Sequence, residues 1–204
     1  MNRLLALVEQ YGIFGLIRLF FDKMRSFTIS KKAKLIRFPF EIRGKRGILI
    51  GEGFTTGRYC RIEAYPICSN KIVLTIGINC QINDSVHIVA RENVYIGDDV
   101  LIASKVFITD LNHGSYNSLE EHSDPDSIVS SRPLNSSPVL ISDNCWIGEN
   151  VSILPGVTLG KNCIVGANSL VTKSFESNCI VGGNPARLLK RYCESSKRWV
   201  SIKS

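Results

Sequence analysis

The stretch that decides the fold is ISDNCWIGENVSILPGVTLGKNCIVGANSLVTKS, residues 141–174, in which an aliphatic residue returns at every sixth position. These positions are Ile141, Ile147, Ile153, Leu159, Val165 and Val171. A period of six fits neither the turn of an α-helix nor the alternation of a single amphipathic strand. It indicates a triangular solenoid, in which each six-residue unit forms one short strand and one corner, and stacked coils bury a common core.

The same period extends upstream in sets of three residues, and each set describes one coil. Two strong sets and one weaker set precede the first: Ile76, Ile82, Ile88; Ile96, Ile102, Ile108; and Ile50, Thr56, Ile62. The fourth residue after each aliphatic is compact: Cys80, Val86, Val100, Val106, Cys145, Val151, Val157, Cys163 and Ser169. We therefore predict five coils. We also expect the cysteines at these positions to pack as small apolar side chains and not to act as metal ligands or nucleophiles; they are Cys60, Cys80, Cys145 and Cys163.

Breaks in the period are informative because insertions in a solenoid form loops on one face. Two extra residues lie between the coils that start at Ile76 and Ile96, and a long polar segment occupies residues 110–138. We expect this segment to be a structureless loop with a functional role. His113 at its root is a candidate general base, with a solvent-facing loop histidine as the alternative. His122 and His87 are weaker candidates.

The charge distribution separates the ends of the chain from its middle. The net charge is +7 over 204 residues, with +8 in residues 1–47, −6 in residues 48–183 and +5 from residue 184 onward. An acidic body argues against a nucleic-acid-binding core. Basic ends fit either an anionic membrane surface or an anionic cofactor, and solubilising tails are the alternative.

The N-terminal segment predicts an amphipathic helix. Its apolar positions are spaced broadly as one helical face: Leu4, Leu5, Val8, Ile13, Leu16, Ile17, Phe20 and Phe21. The longest run without charge there covers residues 10–17, which is too short to span a bilayer. We divide the chain into a helical cap or membrane-surface segment (1–34), a β-helix (35–183) and a basic tail (184–204). Seven cysteines, an odd number, with no secretory signal before them indicate a cytoplasmic protein with reduced thiols.

Three phrases within residues 76–187 resemble the hexapeptide-repeat O-acetyltransferases. They are WIGENVSILPGVTLGKNCIVGANSLVTKS (146–174), VGGNPARLLK (181–190) and ITDLNHG (108–114). That group contains galactoside, maltose, nodulation and O-antigen (lipopolysaccharide) acetyltransferases. The resemblance implies an all-β, left-handed parallel β-helix that forms a homotrimer with active sites between subunits. It also implies acetyl-CoA as the acyl donor, with no metal.

The resemblance assigns candidate site residues position by position. His113 matches the catalytic histidine, although Leu111 replaces the first histidine that many relatives carry in this motif. Asn83 matches an acceptor-binding asparagine, and Trp146 an indole beside the acceptor and the thioester. Positions lining the acetyl-CoA channel are matched by Ala103, Gly148, Ala167, Thr172, Lys173 and Arg187. Glu149 stands where some relatives have a serine that contacts CoA, which puts that contact in doubt.

The expected reaction is direct acetyl transfer to a sugar hydroxyl in lipopolysaccharide, O-antigen or another surface polysaccharide, with a sugar or lipid-linked glycan as acceptor. Two alternatives on the same fold are N-acetylation of an amino-sugar nucleotide and a catalytically silent trimeric scaffold. A γ-type carbonic anhydrase would need three histidines on zinc with a close H-x-x-x-x-H pair, whereas His113 and His122 are nine residues apart.

Overall fold

A computed structural model describes residues 3–116 and 122–202. One long helix, α1 (Arg3–Ile29), is followed by short strands. The first ten are β1 (Phe40–Arg43), β2 (Ile48–Ile50), β3 (Thr55–Thr56), β4 (Cys60–Ala64), β5 (Leu74–Ile76), β6 (Gln81–Ile82), β7 (His87–Ala90), β8 (Val94–Ile96), β9 (Leu101–Ile102) and β10 (Phe107–Thr109). The others are β11 (Leu111–His113), β12 (Leu134–Ser136), β13 (Val139–Ile141), β14 (Trp146–Ile147), β15 (Ser152–Ile153), β16 (Thr158–Leu159), β17 (Ile164–Val165), β18 (Leu170–Val171), β19 (Cys179–Gly182), β20 (Arg187–Cys193) and β21 (Arg198–Ser201).

The strands form three parallel sheets that the chain visits in turn. Sheet A contains β3, β6, β9, β14, β17 and β19; sheet B contains β1, β4, β7, β10, β15 and β18; sheet C contains β2, β5, β8, β13 and β16. Each circuit adds one strand to each sheet, as the six-residue period predicts. This arrangement fits a left-handed parallel β-helix, and the predicted N-terminal helix is present.

The core consists of the predicted aliphatic residues. In sheet B the inward positions Ile62, Ile88, Ile108, Ile153 and Val171 follow one another in register, and all five are fully buried. The compact positions are buried as well, including Cys60, Cys80, Cys145 and Cys163, which confirms their packing role. Each coil therefore contributes one layer to a continuous apolar column, which a single coil could not form.

Asparagine has a structural role at the corners of the coils. Asn144, Asn162 and Asn178 adopt left-handed backbone angles, with φ of 57–59°. This conformation costs asparagine less than most residues. Their side-chain amides form a ladder, with Asn144 donating to Asn162 at 2.8 Å and Asn162 to Asn178 at 2.7 Å.

Two sides of a first coil precede the five coils that the sequence predicts. Leu35 pairs with Thr55 on sheet A, and β1 pairs with β4 on sheet B; the next strand, β2, contains Ile50, where the first predicted coil starts. Ile36 is fully buried and belongs to the same core. Ile36 and Ile42 keep the six-residue spacing, but Ile50 follows Ile42 by eight residues, so this coil was not connected to the repeat.

Helix α1 packs on this first coil only through its C-terminal half. The Ser26 hydroxyl accepts a hydrogen bond from the Ile36 amide at 2.7 Å, and the Asp22 carboxylate accepts one from Arg58 at 2.9 Å. Gly12 has non-helical backbone angles and kinks the helix. Upstream of the docked half, side chains such as Ile13 and Phe14 are exposed, by 68% and 89%. Within the described residues, no helix combines the length and apolarity that crossing a membrane requires.

The C-terminal segment, expected to be a basic tail, folds into two strands. β20 pairs antiparallel with β19, and β21 pairs antiparallel with β20. The Tyr192 and Trp199 rings pack edge to face, with 5.4 Å between centroids. The chain reversal extends sheet A with antiparallel strands at its C-terminal end. Composition alone could not show this because the segment is basic and mostly exposed.

Candidate active site

The long insertion leaves the solenoid at the edge between sheets B and C, and its described part is not structureless. β11 and β12 pair antiparallel, and a short 3-10 turn covers Val129–Ser131. Residues 117–121 of the predicted loop lie outside the described residues. The expectation of a structureless loop is wrong for the described part, because its two ends run side by side and satisfy each other's backbone groups.

Asp110 anchors the root of this insertion. Its buried carboxylate accepts hydrogen bonds from the backbone amides of Arg91 at 2.9 Å, and of Glu92 and Asn93 at 2.8 Å each. Its backbone carbonyl accepts a hydrogen bond from the Ser137 amide at 2.8 Å, at the returning end of the insertion. One residue therefore joins the outgoing strand, the returning strand and the corner of the preceding coil.

His113 is the last residue of β11 and lies opposite Leu134 of β12. It is exposed, and its carbonyl accepts a hydrogen bond from the Tyr116 hydroxyl at 2.6 Å. The imidazole lines a cavity of about 510 Å³. The apolar walls of this cavity come from Val89, Phe107, Leu111, Leu134 and Leu154, and Tyr65 closes one side. A histidine on a paired strand at an apolar pocket is suited to general-base chemistry.

The edge between sheets A and B brings together most of the other candidate residues. Asn83, Ala103 and Gly148 occupy the same position of three successive coils, because each follows an inward residue of sheet A that pairs with the next. Trp146 lies two residues before Gly148, is 50% exposed and pairs with Leu101. Ala167 lies on the same edge one coil further on, between β17 and β18.

Thr172 and Lys173 lie elsewhere, directly after β18 on the edge between sheets B and C. Both are exposed, and the Lys173 ammonium is 5.7 Å from the centre of the Phe175 ring. Arg187 begins β20 and is also exposed, with its guanidinium donating to the Ala186 carbonyl at 3.1 Å. These cations face solvent and can meet an anionic ligand.

The candidate residues thus form two groups at opposite edges of sheet B. Asn83 and its stacked neighbours lie where the sheet B strands begin, and His113 lies where they end. Within one chain, the structure does not bring Asn83 to the His113 cavity. Each edge therefore carries only some of the predicted site residues.

The other two histidines and the core cysteines are poor catalytic candidates. His122 is exposed, and His87 is engaged by Glu63, with 2.8 Å between Nε2 and the carboxylate. Burial raises the pKa of the Cys60 and Cys80 thiols to about 11, which disfavours the nucleophilic thiolate. Among residues 3–116 and 122–202, no group of three His, Cys, Asp or Glu side chains is arranged to hold a metal ion.

The sequence did not indicate Glu63 and Tyr65 as site residues, although Tyr65 lines the His113 cavity. A usable signal was present, since Ile62 and Ile76 are 14 residues apart where the period requires six. This insertion leaves the solenoid at the same edge as the His113 insertion, one coil before the Arg91 corner.

Comparison with known proteins identifies the family of the chain. The family model for bacterial transferase hexapeptide repeats (six repeats) matches residues 138–173. The putative lipopolysaccharide biosynthesis O-acetyl transferase WbbJ of Escherichia coli (strain K12) is 42% identical over 96% of this chain and 98% of its own length. The galactoside O-acetyltransferase of the same strain is 34% identical over 79% of this chain and 75% of its own length.

Two solved structures share the fold. A variant of AntD, an N-acyltransferase from Bacillus cereus in complex with dTDP and coenzyme A, superposes with a TM-score of 0.66 over 85% of this chain and 91% of its own, at 19% identity. A hexapeptide-repeat acetyltransferase from Vibrio cholerae superposes with a TM-score of 0.53 over 94% of this chain and 93% of its own, at 23% identity.

The three parallel sheets and the matched repeat model define a transferase of the hexapeptide-repeat class. The relatives define the family more closely: the chain belongs to the hexapeptide-repeat acetyltransferases, which confirms the resemblance seen in the sequence.

Proposed function

We propose that this protein is an acetyl-CoA-dependent O-acetyltransferase that acts on a sugar hydroxyl in lipopolysaccharide, O-antigen or other surface-polysaccharide synthesis. The observation that carries the proposal is the position of His113 at an apolar cavity, on a hairpin anchored by Asp110. The names of the lipopolysaccharide and galactoside acetyltransferase relatives support the sugar acceptor.

In this mechanism His113 takes the proton of the acceptor hydroxyl while the hydroxyl oxygen attacks the thioester carbonyl. The carbon–oxygen bond forms, the carbon–sulfur bond breaks, and the CoA thiolate leaves. A general base contributes on the order of 10²–10⁴ in rate when it lies within hydrogen-bond reach of the proton. The remaining acceleration comes from holding both substrates in place, which rigid coils are suited to do.

The chain offers suitable contacts for the donor. The corner positions at Ala103, Gly148 and Ala167 carry small side chains or none, so a ligand can approach the backbone closely. Lys173 and Arg187 are exposed cations, and guanidinium and ammonium groups recognise phosphates. Thr172 adds a hydroxyl beside Lys173. Trp146 and Asn83 lie on the edge between sheets A and B, where they would contact the acceptor and the thioester at an interface with a neighbouring chain.

The separation of the two edges supports a homotrimer with active sites between subunits. A contact between two different surfaces of identical chains closes into a ring when the rotation between neighbours is suitable. If the sheet B–C edge of one chain meets the sheet A–B edge of the next, each of three interfaces receives His113 from one subunit and Asn83 from the other. We further infer that the three sheets close as a left-handed triangular prism.

The N-acetylation of an amino-sugar nucleotide remains the second candidate. The shared fold with AntD, an N-acyltransferase solved with a dTDP-linked amino sugar, favours it as the alternative. A lipid-linked glycan is a further acceptor that the basic ends would suit.

For the N-terminal segment, we infer a cap that also touches an anionic membrane surface from the cytoplasm. The C-terminal half of α1 covers the first coil. Exposed apolar side chains lie both before this half, at Ile13 and Phe14, and on its outer face, at Ile17, Phe20 and Phe21. In this division residues 1–34 form the cap, 35–183 the catalytic β-helix, and 184–204 a basic C-terminal segment.

Replacement of His113 tests the proposed function. His113→Ala should lower kcat for acetyl transfer by about 10²-fold or more while acetyl-CoA affinity and oligomeric state stay nearly unchanged. His122→Ala is the matched control and should change kcat by less than about twofold, because this residue is exposed away from the cavity. The rate of acetyl transfer is measured from the release of CoA, and the acetylated product is detected by mass spectrometry of surface polysaccharide. A loss below tenfold in His113→Ala would remove His113 from the mechanism.

A further inference from the structure

The outer face of sheet B carries a buried carboxylate that the proposed mechanism does not use. Glu63 alternates with the inward Ile62 on β4, yet it is only 4% exposed. Its carboxylate lies 2.8 Å from His87 Nε2, 3.0 Å from Arg43 Nη1 and 3.2 Å from Arg61 Nε. A buried carboxylate is tolerated when it is paired and hydrogen-bonded, and this cluster provides both.

The carboxylate of Glu63 is held in its ionised form. Burial alone would raise its pKa, but hydrogen bonds from His87 and Tyr65 and the charge of Arg61 outweigh burial and lower the pKa below its ordinary value. An ionised carboxylate only accepts hydrogen bonds. It therefore fixes the direction of every donor around it.

Tyr65 connects this cluster to the His113 cavity. Its hydroxyl donates to Glu63 at 2.9 Å, and its backbone amide donates to the Ala90 carbonyl at 2.8 Å. The side chain forms one wall of the 510 Å³ cavity and is 42% exposed. Because both the backbone and the hydroxyl are tied, the ring is held as a preformed wall.

We propose that Tyr65 is a specificity-determining residue, the platform against which the sugar ring of the acceptor packs while its hydroxyl reaches His113. This inference rests on the proposed function. A sugar ring has an apolar C–H face and a polar rim. The lining of the cavity combines the apolar surface of Tyr65 and Phe107 with the polar groups of Asn112 and His113.

The location of the cavity favours the acceptor over the pantetheine arm of the donor. The general base must lie within about 3 Å of the hydroxyl that it deprotonates, so the molecule in the cavity beside His113 is the one that carries this hydroxyl. Of the residues assigned to the donor, Thr172 and Lys173 share this edge of sheet B but do not line the cavity, whereas Ala103 and Gly148 lie at the opposite edge. Ala103 and Gly148 reach this cavity only from a neighbouring chain.

The test compares Tyr65→Ala with Tyr95→Ala in the full-length enzyme. Tyr95 is a matched control because it is 40% exposed and lies on sheet C, away from the cavity. Acceptors are a panel of p-nitrophenyl glycosides and de-O-acetylated lipopolysaccharide, with acetyl-CoA as donor. In Tyr65→Ala we expect the acceptor KM to rise about tenfold, with acetyl-CoA KM and kcat within about threefold of wild type.

Two further variants separate the ring from its tether. Tyr65→Phe keeps the ring and loses the hydrogen bond to Glu63, so its acceptor KM should rise by about two- to threefold. Glu63→Gln should affect acceptor KM in the same direction as Tyr65→Phe. Thermal unfolding of each variant shows whether a change in KM follows loss of the fold.

The results separate the inference from the proposed function. An unchanged acceptor KM in folded Tyr65→Ala, or a rise confined to acetyl-CoA KM, overturns the platform role. Wild-type enzyme that binds acetyl-CoA but acetylates no carbohydrate of the panel also overturns the sugar occupant. Wild-type enzyme that does not bind acetyl-CoA contradicts the proposed function itself.

Discussion

At the residue scale, position in the coil decides what each side chain does. Cysteine and valine occupy most of the compact interior positions, while outward residues one step away contact solvent or the neighbouring strand. Cys163 and Cys179 lie 3.4 Å apart between their sulfur atoms inside this column. The hydrogen bond that the Cys163 thiol donates to Cys145, together with burial, raises the pKa of this thiol to about 11. A protonated, enclosed thiol is inert toward most reagents.

Thiol-blocking reagents should therefore leave the folded enzyme active. Exposed Cys68 is expected to react first, and Cys193, whose pKa is lowered to about 7 by hydrogen bonds from Ser195 and Ser196, should also react readily. Mass spectrometry locates the modified residues, and initial rates are measured in parallel. Stoichiometric inactivation that follows modification of Cys163 would contradict the packing interpretation.

At the scale of elements, the inserted hairpin and α1 are both attached to the solenoid through a few buried polar groups. The hairpin depends on Asp110, and α1 depends on Asp22 and Ser26. Buried polar contacts of this kind fix geometry because an unpaired partner would be costly. Regular coil packing holds the core, whereas these attachments determine where the insertions lie.

Asp110→Asn should loosen the hairpin. The neutral amide offers one oxygen acceptor in place of two and adds a donor that faces backbone amides, so we expect a loss of about 1–3 kcal/mol in the free energy of unfolding. The rate of transfer should fall as well, because His113 loses its fixed position. Denaturant unfolding and kcat are measured together, with Asp124→Asn, an exposed residue of the same insertion, as control. Wild-type stability in Asp110→Asn would show that the anchor is dispensable.

The exposed half of α1 predicts salt-dependent membrane binding. Full-length protein should bind vesicles that contain anionic lipid, and the bound fraction should fall as salt rises, because basic residues contribute through screened attraction. Cosedimentation measures binding, and Phe14→Ser together with Ile17→Ser should weaken it without unfolding the docked half. Full-length protein that does not bind anionic vesicles at low salt would leave α1 with the capping role alone.

At the scale of the whole molecule, the residues of the proposed site lie in two separate groups on one chain. His113 and Asn83 lie at opposite edges of sheet B. In a monomer these two groups cannot act on one substrate. In a ring, where unlike edges of identical chains meet, they can lie at the same interface.

Mixed assemblies test this arrangement. His113→Ala and Asn83→Ala chains should each have little activity alone. Trimers assembled from both at equal ratio should recover about a quarter of the wild-type sites, since one in four interfaces joins an intact His113 to an intact Asn83. Activity of co-expressed, differently tagged chains measures the recovery, with singly mutant trimers as reference. The absence of any recovery in mixed trimers would place both residues in a site within one chain.

The sequence by itself determined the coils, their core, the inserted segment and the motif around His113. It could do so because a six-residue period is local and survives in any stretch of about 18 residues, such as 141–158. The family followed from ordered phrases of the same kind. The added first coil was not recognised because Ile50 follows Ile42 by eight residues, and the strands after residue 184 were not visible because they do not keep the period.

Only the tertiary structure decided which residues share an edge. Asn83, Ala103 and Gly148 are 20 and 45 residues apart, and only the register between neighbouring coils stacks them. Glu63 is polar and lies on an outer face, yet it is buried because Arg61 of its own strand and Arg43 and His87 of the two adjacent strands close over it. Contacts between strands depend on register and insertion length together, and no single stretch of sequence contains both.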